Sequence, residues 1–142
     1  TSIGVDRMVL QVLSAAYKEE QLQNGETHTV LSIPAALAPV KAAIRPLVKK
    51  DGLPELAHEI KNLLNFDHNI QYDEKDSIGK RYRRQDAIGT PLCITVDYQT
   101  REDRTVTVRH RDSMEQHRVA IDELPALVNN AVSLRKLFQK II

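Results

Sequence analysis

The sequence predicts an α/β domain: a mixed, mostly parallel sheet of about five strands flanked by helices and preceded by a separate N-terminal helix. Three observations carry that prediction. Between 40 and 96, short apolar runs alternate with stretches of helical periodicity, a pattern that demands parallel crossovers. From 105 to 121, an alternating segment, a polar turn and a second short segment form a hairpin, which adds antiparallel strands. The opening residues carry a helical apolar stripe that ends in the polar, glycine-containing stretch 22–29.

The elements follow in chain order. Val5, Met8, Val9, Val12, Leu13, Ala16 and Tyr17 share one helical face. Charge and glutamine dominate after Tyr17, and Asn24-Gly25 reads as a turn or linker. So strong a stripe needs a packing surface, and it points to a piece cut from a longer chain. The expected organisation is 1–21 as the end of one domain, 22–29 as linker and 30–142 as a second domain.

Val40 to Val48 reads as a strand between Pro39 and the Lys49-Lys50-Asp51-Gly52 turn, with Pro46 best placed at its end. Pro54 opens a helix whose buried side is Leu53, Leu56, Ala57, Ile60, Leu63 and Leu64. Asn69 to Tyr72 is a short strand, and Asp73 to Asp76 an acidic turn. Ile78 to Gly89 forms a helix with Ile78, Tyr82, Gln85 and Gly89 on one side and Lys80, Arg83 and Arg84 on the other. Leu92 to Val96 is apolar throughout, as a strand covered on both faces must be. Thr105 to His110 alternates and is expected to be half-exposed; Arg111 to Gln116 turns; Arg118 to Ile121 returns. Asp122 is expected to cap a last helix with Pro125 in its first turn. Its apolar side runs through Leu124, Leu127, Val128, Ala131, Leu134, Leu137, Phe138 and Ile141.

Composition narrows the function classes. The 142 residues are 42% hydrophobic and 27% charged, which is ordinary globular composition. Lys plus Arg total 20 against 19 Asp plus Glu, so any nucleic-acid surface must be a local patch. Trp is absent and Phe occurs twice, which argues against an aromatic base-stacking platform. No apolar run approaches the roughly 18 to 20 residues that span a bilayer, and the first residues lack the zones of a signal peptide. The lone Cys93 cannot form an internal disulfide, which suits a reducing compartment. These features lead to the expectation of a soluble intracellular domain without membrane contact.

Several kinds of site are missing. The five glycines form neither GxGxxG nor GxxxxGK. His28, His58, His68, His110 and His117 show no metal-ligand spacing, so no metal is expected. Cys93 sits inside an apolar strand, where burial keeps a thiol inert. Two constellations remain. Lys80, Arg81, Arg83 and Arg84 cluster near a helix start, where fixed cations and the helix dipole favour phosphate. Arg109-His110-Arg111-Asp112-Ser113-Met114-Glu115 mixes donors with acceptors, as reading the edges of unpaired bases requires. A solvated helix face and a self-compensating polar turn are the plain alternatives. The opening Thr1-Ser2-Ile3-Gly4-Val5-Asp6-Arg7 is a weaker third signal, with Gly4 permitting close backbone approach and Arg7 placed to meet a phosphate.

Pro34-Ala35-Ala36-Leu37-Ala38-Pro39-Val40-Lys41 and Pro46-Leu47-Val48-Lys49-Lys50-Asp51-Gly52-Leu53-Pro54-Glu55 closely resemble segments of glycyl-tRNA synthetases. So do Ser77-Ile78-Gly79-Lys80-Arg81-Tyr82-Arg83-Arg84-Gln85-Asp86 and Ile88-Gly89-Thr90-Pro91. Thr105 to Arg109 and Arg111 to Gln116 match as well, in order and with the right spacing over nearly the whole chain.

That resemblance implies a class II aminoacyl-tRNA synthetase, with 30–142 as its anticodon-binding domain and 1–21 as the end of its catalytic domain. Gly4-Val5-Asp6-Arg7 is similar to the third class II motif, whose arginine contacts ATP; it implies Arg7 as a catalytic residue and Gly4, Val5, Asp6 and Arg7 as ATP-binding. Thr1, Ser2, Ile3 and Gly4 are similar to the glycine-binding segment. The implied parent is a glycine–tRNA ligase, a cytoplasmic homodimer using ATP with Mg2+ to adenylate glycine and pass it to tRNA(Gly). This piece lacks the two earlier motifs, so it is expected to be inactive alone, to bind no cofactor and to supply anticodon recognition. Lys80, Arg81 and Arg84 are the candidates for phosphates, and Arg109, Arg111, Asp112 and Glu115 for base edges. The alternatives are a non-enzymatic nucleic-acid module, similar to the accessory subunit of the mitochondrial DNA polymerase, and a protein-interaction domain.

Overall fold

The computed structural model describes residues 2–21 and 25–139. Helix α1 (Val5–Ala16) comes first, followed by strands β1 (Tyr17–Gln21) and β2 (Thr27–Leu31). Strand β3 (Ala42–Pro46), helix α2 (Leu53–Asn65), strand β4 (Ile70–Tyr72), helix α3 (Ile78–Ala87) and strand β5 (Leu92–Val96) form the alternating part. A short helix α4 (Tyr98–Asp103) leads into strands β6 (Thr105–His110) and β7 (Gln116–Ala120), and helices α5 (Leu124–Ala131) and α6 (Leu134–Gln139) close the chain.

The five-stranded sheet has the order β4-β3-β5-β6-β7. β3 pairs in parallel with β4 and with β5, while β5–β6 and β6–β7 are antiparallel. Four strands therefore run one way and β6 alone opposes them, the mixed and mostly parallel sheet the alternation predicts. Pro46 is the last residue of β3 and β5 is buried along its length, both as expected. Pro54 lies in the first turn of α2 and Pro125 in that of α5.

The two faces of the sheet differ in chemistry. Ala42, Ile44, Leu92, Ile94, Val106 and Val108 pack with Leu53, Ala57, Ile60 and Leu64 of α2 and with Leu124 and Val128 of α5 into the main core. Alternation sends Ala43 and Arg45 of β3, Cys93 and Thr95 of β5, and Thr107 and Arg109 of β6 to the opposite face, under α3. That second face is polar, so α3 is held by hydrogen bonds and charge rather than by apolar burial.

Three expectations need correction, and one short helix adds to the reading. Residues 17–21 do not extend the first helix: Tyr17 turns extended, and Tyr17–Gln21 pairs antiparallel with Thr27–Leu31, so the segment expected as linker carries a hairpin strand over 27–29. The polar stretch hides a strand whose inward residues are His28 and Val30 alone. The loop before β6 contains α4, nucleated by Asp97 and Thr100 in a reciprocal capping box. Asp122 makes no side-chain cap and sits in a short 3-10 turn before α5. The last helix breaks after Ala131 and resumes at Leu134; Ile141 lies outside the described residues.

α1 packs only lightly, through Val12 and Ala16 against Leu31, Ile33 and Ala38. Met8, Val9, Leu10 and Leu13 remain exposed. Among the described residues, no helix is long and apolar enough to cross a membrane.

Candidate nucleic-acid interface

The cationic helix divides its side chains between surface and interior. Lys80, Arg83 and Arg84 are exposed, as the helical periodicity predicts. Lys80 has no acidic partner among the described residues. Arg83 pairs with Glu26 at 2.6 Å, and Arg84 spans Asp73 at 2.7 Å and Asp76 at 2.5 Å. Arg81 is the correction: it is 5% exposed, donating Nη1 to the Pro46 carbonyl at 2.8 Å and Nε to the Asp76 carbonyl at 3.0 Å. Burial, then the neighbouring charge of Arg45, holds its pKa below the ordinary guanidinium value. A side chain so committed fastens the start of α3 to the end of β3 and does not meet a phosphate from outside.

The hairpin divides in the same way. Arg109 is buried and gives both terminal nitrogens to Asp86 at 3.0 Å each, with the Met114 sulfur against Nη2. Burial works against its charge, yet Asp86 outweighs that penalty and raises the guanidinium pKa. His28 Nε2 lies 3.3 Å from the same carboxylate, so β2, α3 and β6 meet at one buried acid. Arg109 thus serves the interior, against the expectation that it reads a base edge.

Arg111 is also buried, but it works as a clamp. Nη1 donates to the Gly89 carbonyl at 2.7 Å and Nη2 to the Ile33 carbonyl at 2.8 Å. Nε and Nη2 grip the two oxygens of Asp112 at 2.8 and 2.9 Å. One guanidinium therefore joins the β2–β3 loop, the turn after α3 and the β6–β7 hairpin. Asp112 itself is exposed, its carboxylate oriented by a bidentate contact. Ser113 and Glu115 stand exposed beside it, in a turn closed by His110 N–H to the Glu115 carbonyl at 3.0 Å. Met114 takes a left-handed φ of 59° to close that turn.

Asp112 lies on the wall of a cavity of about 710 Å3. Ser32 to Ala36 form one side, His110 to Ser113 another, and Ser133, Lys136 and Gln139 a third. Lys41 braces the first wall, donating Nζ to the Ala36 carbonyl at 2.8 Å. A rigid acceptor, hydroxyls and one exposed cation around an open cavity suit a ligand with both donors and acceptors.

Ser2, Ile3, Gly4, Val5, Asp6 and Arg7 are all exposed; Thr1 lies outside the described residues. Gln85 is buried, on the side of α3 opposite the exposed cations as the periodicity predicts, whereas sequence reasoning missed the burial of His28 and Arg45. Arg45 carried a signal, a cation inside the otherwise apolar run Ala42–Pro46.

Comparisons with known proteins identify the family and the fold. The chain is 50% identical over 132 residues to a glycine–tRNA ligase of Borrelia hermsii, covering 93% of the chain and 30% of that protein. It is 53% identical over 131 residues to the glycine–tRNA ligase of Clostridium tetani, covering 92% of the chain and 28% of the relative. The chain thus spans less than a third of the curated relatives it matches. A similar fold occurs in the RNA binding domain of threonyl-tRNA synthetase from Cryptosporidium parvum, at a TM-score of 0.64 and 19% identity over 70% of this chain and 25% of that one. Residues 41–131 match the family described as "Anticodon binding domain". The stretch includes β3 to β7, α3 and the Arg111–Asp112 clamp, and the chain belongs to the anticodon binding domain family.

Proposed function

We propose that this chain is the anticodon-recognising portion of a glycine–tRNA ligase and that it binds tRNA(Gly). The observation that carries the proposal is the Arg111–Asp112 clamp, an exposed carboxylate locked by a buried guanidinium at the wall of an open cavity. A carboxylate accepts hydrogen bonds only, so it selects bases that offer an amino or imino donor. Glu115 and Ser113 extend the acceptor edge. Lys80 and Arg84 supply phosphate contacts, Arg84 by exchanging an acidic partner for a phosphate oxygen. Arg81, Arg109 and Arg111 act by holding the framework. In the whole ligase, which would use ATP with Mg2+, Arg7 with Gly4, Val5 and Asp6 would serve ATP, and Thr1 to Gly4 would serve glycine. The cytoplasm and a homodimeric parent belong to the same proposal.

The test is a titration of the chain against tRNA(Gly) and a second tRNA changed only at the anticodon, each at low and moderate salt. Preferential binding of the first supports base readout here. Equal, salt-sensitive binding reduces the domain to a backbone-gripping surface. Loss of binding to both overturns the proposal.

A further inference from the structure

The sheet face under α3 holds more positive charge than its neighbours neutralise. Arg45, on the interior strand β3 between β4 and β5, is 2% exposed, and its Nε, Nη1 and Nη2 have no hydrogen-bond partner among the described residues' oxygens and nitrogens. A buried guanidinium with only the Cys93 thiol and the Tyr82 ring face beside it in place of oxygen acceptors is a costly arrangement. An apolar side chain would fit the same place in an otherwise apolar strand. Arg109 shares this face but is committed to Asp86, and Arg81 donates to backbone carbonyls.

One side chain covers the two arginines. Arg45 Cζ lies 3.6 Å from the Tyr82 ring centroid and Arg109 Cζ 4.5 Å from it. The register places Arg45 opposite Thr95 on β5 and Arg109 opposite Cys93, so the ring sits above β5 between two cations. Cation–π attraction offsets part of the desolvation of Arg45 and satisfies none of its N–H groups. Tyr82 is half-buried, and its hydroxyl has one partner, Thr95 Oγ1 at 3.2 Å. A rotation of that ring breaks one hydrogen bond and exposes a fork of N–H donors beside a threonine hydroxyl.

We propose that Arg45 and Thr95, next to the Asp86-paired Arg109, form a closed anion site behind Tyr82 that takes a phosphate oxyanion when the ring swings away. Two guanidinium groups against the single Asp86 carboxylate favour an anion, and the unused fork of Arg45 fits phosphate oxygens bidentately. The phosphate is either free or part of a nucleic-acid backbone, and only the second source rests on the tRNA-binding proposal.

The test uses the chain itself and inorganic phosphate, with sodium chloride at matched ionic strength as reference. Phosphate is expected to raise the unfolding temperature of the wild type. Arg45→Leu is expected to unfold at a higher temperature in chloride and to lose the phosphate response. Arg45→Lys keeps the charge and serves if the leucine variant does not fold. In its amide spectrum, and in that of the wild type, phosphate must shift Tyr82 and Thr95. A phosphate response unchanged in Arg45→Leu, or amide shifts confined to the surroundings of Lys80, shows an adventitious ion only and overturns the proposal. Absence of any response in the wild type overturns it too. An RNA stem-loop carrying the anticodon separates the sources. A salt slope lower by about one phosphate in Arg45→Leu assigns the site to the RNA backbone. An unchanged slope with a lost response to inorganic phosphate assigns it to free phosphate.

Discussion

Nη1 and Nη2 of Arg109 each reach a different oxygen of Asp86 at 3.0 Å, and this bidentate pair fastens α3 to β6 inside the protein. Asp86 is fully buried, and Arg109 is 6% exposed. Breaking such a pair from one side strands the other charge, whereas removing both leaves none. Asp86→Asn is therefore expected to cost about 3–5 kcal/mol of stability. Asp86→Leu combined with Arg109→Met is expected to cost less than the single change. Urea unfolding of the three proteins checks the order; a single variant as stable as wild type would remove the pair from the framework.

Two glycines at opposite ends of the same helix should respond with opposite sign. Gly89 follows α3 with a left-handed φ of 82°, and a Cβ there would lie 2.8 Å from Ile33 Cγ1 and 3.0 Å from the Leu31 carbonyl oxygen. Gly89→Ala combines backbone strain with a clash against the β2–β3 loop, an expected loss of about 2 kcal/mol or more. Gly79 lies inside α3 with open space around its Cα, so Gly79→Ala is expected to gain up to about 1 kcal/mol. Chemical denaturation of both variants decides; a stabilised Gly89→Ala would deny the close approach of loop and helix.

Elements built on one dominant period were legible from the sequence. The apolar run Leu92–Val96, the spacing Leu53, Ala57, Ile60, Leu64 and the alternation through Val106 and Val108 each dictate one structure, and each forms. The β1–β2 hairpin was not legible. All five residues of Tyr17–Gln21 are exposed, so no burial pattern marks them, and their pairing is written only in backbone hydrogen bonds. In the site, exposure of Lys80, Arg84, Asp112 and Glu115 followed from local polarity. The inward turn of Arg81, Arg109 and Arg111 did not, because their partners are the distant Pro46 and Ile33 carbonyls and Asp86. Charge in a sequence marks a polar position; whether it faces solvent depends on acceptors that only the fold assembles.

Cys93 gives the polar face a pH dependence at the alkaline end. Burial raises its pKa above the ordinary thiol value. The folded state then keeps a proton that the unfolded chain releases above about pH 8.5. Stability falls with pH wherever the folded state binds more protons. The Cys93 contribution is thus complete below the unfolded thiol pKa and is lost as pH rises toward the folded one. Cys93→Ala is expected to flatten the decline in unfolding free energy above that pH. Equal slopes for the two proteins would show that the thiol plays no part, and a thiol reagent should modify Cys93 only as fast as the domain opens.

Asp112 and Lys80 should separate recognition from attraction. Asp112 is exposed and fixed by Arg111, while Lys80 is exposed with no acidic partner among the described residues. Asp112→Asn replaces one carboxylate oxygen by an amide donor while keeping the shape of the side chain. It is expected to cost about 1–3 kcal/mol of discrimination between the glycine anticodon and a changed one. Unfolding free energy should fall by about 1 kcal/mol or more, because the buried Arg111 guanidinium loses a charged acceptor. Lys80→Ala is expected to weaken binding to both tRNAs equally and to lower the salt slope by about one. Arg111→Met should lose stability and discrimination together, because the Gly89 and Ile33 carbonyls lose their donor along with Asp112. The binding titrations at two salt concentrations measure all three. If Asp112→Asn weakens both tRNAs alike while Lys80→Ala alters discrimination, the two roles are exchanged, and base readout moves from the hairpin to α3.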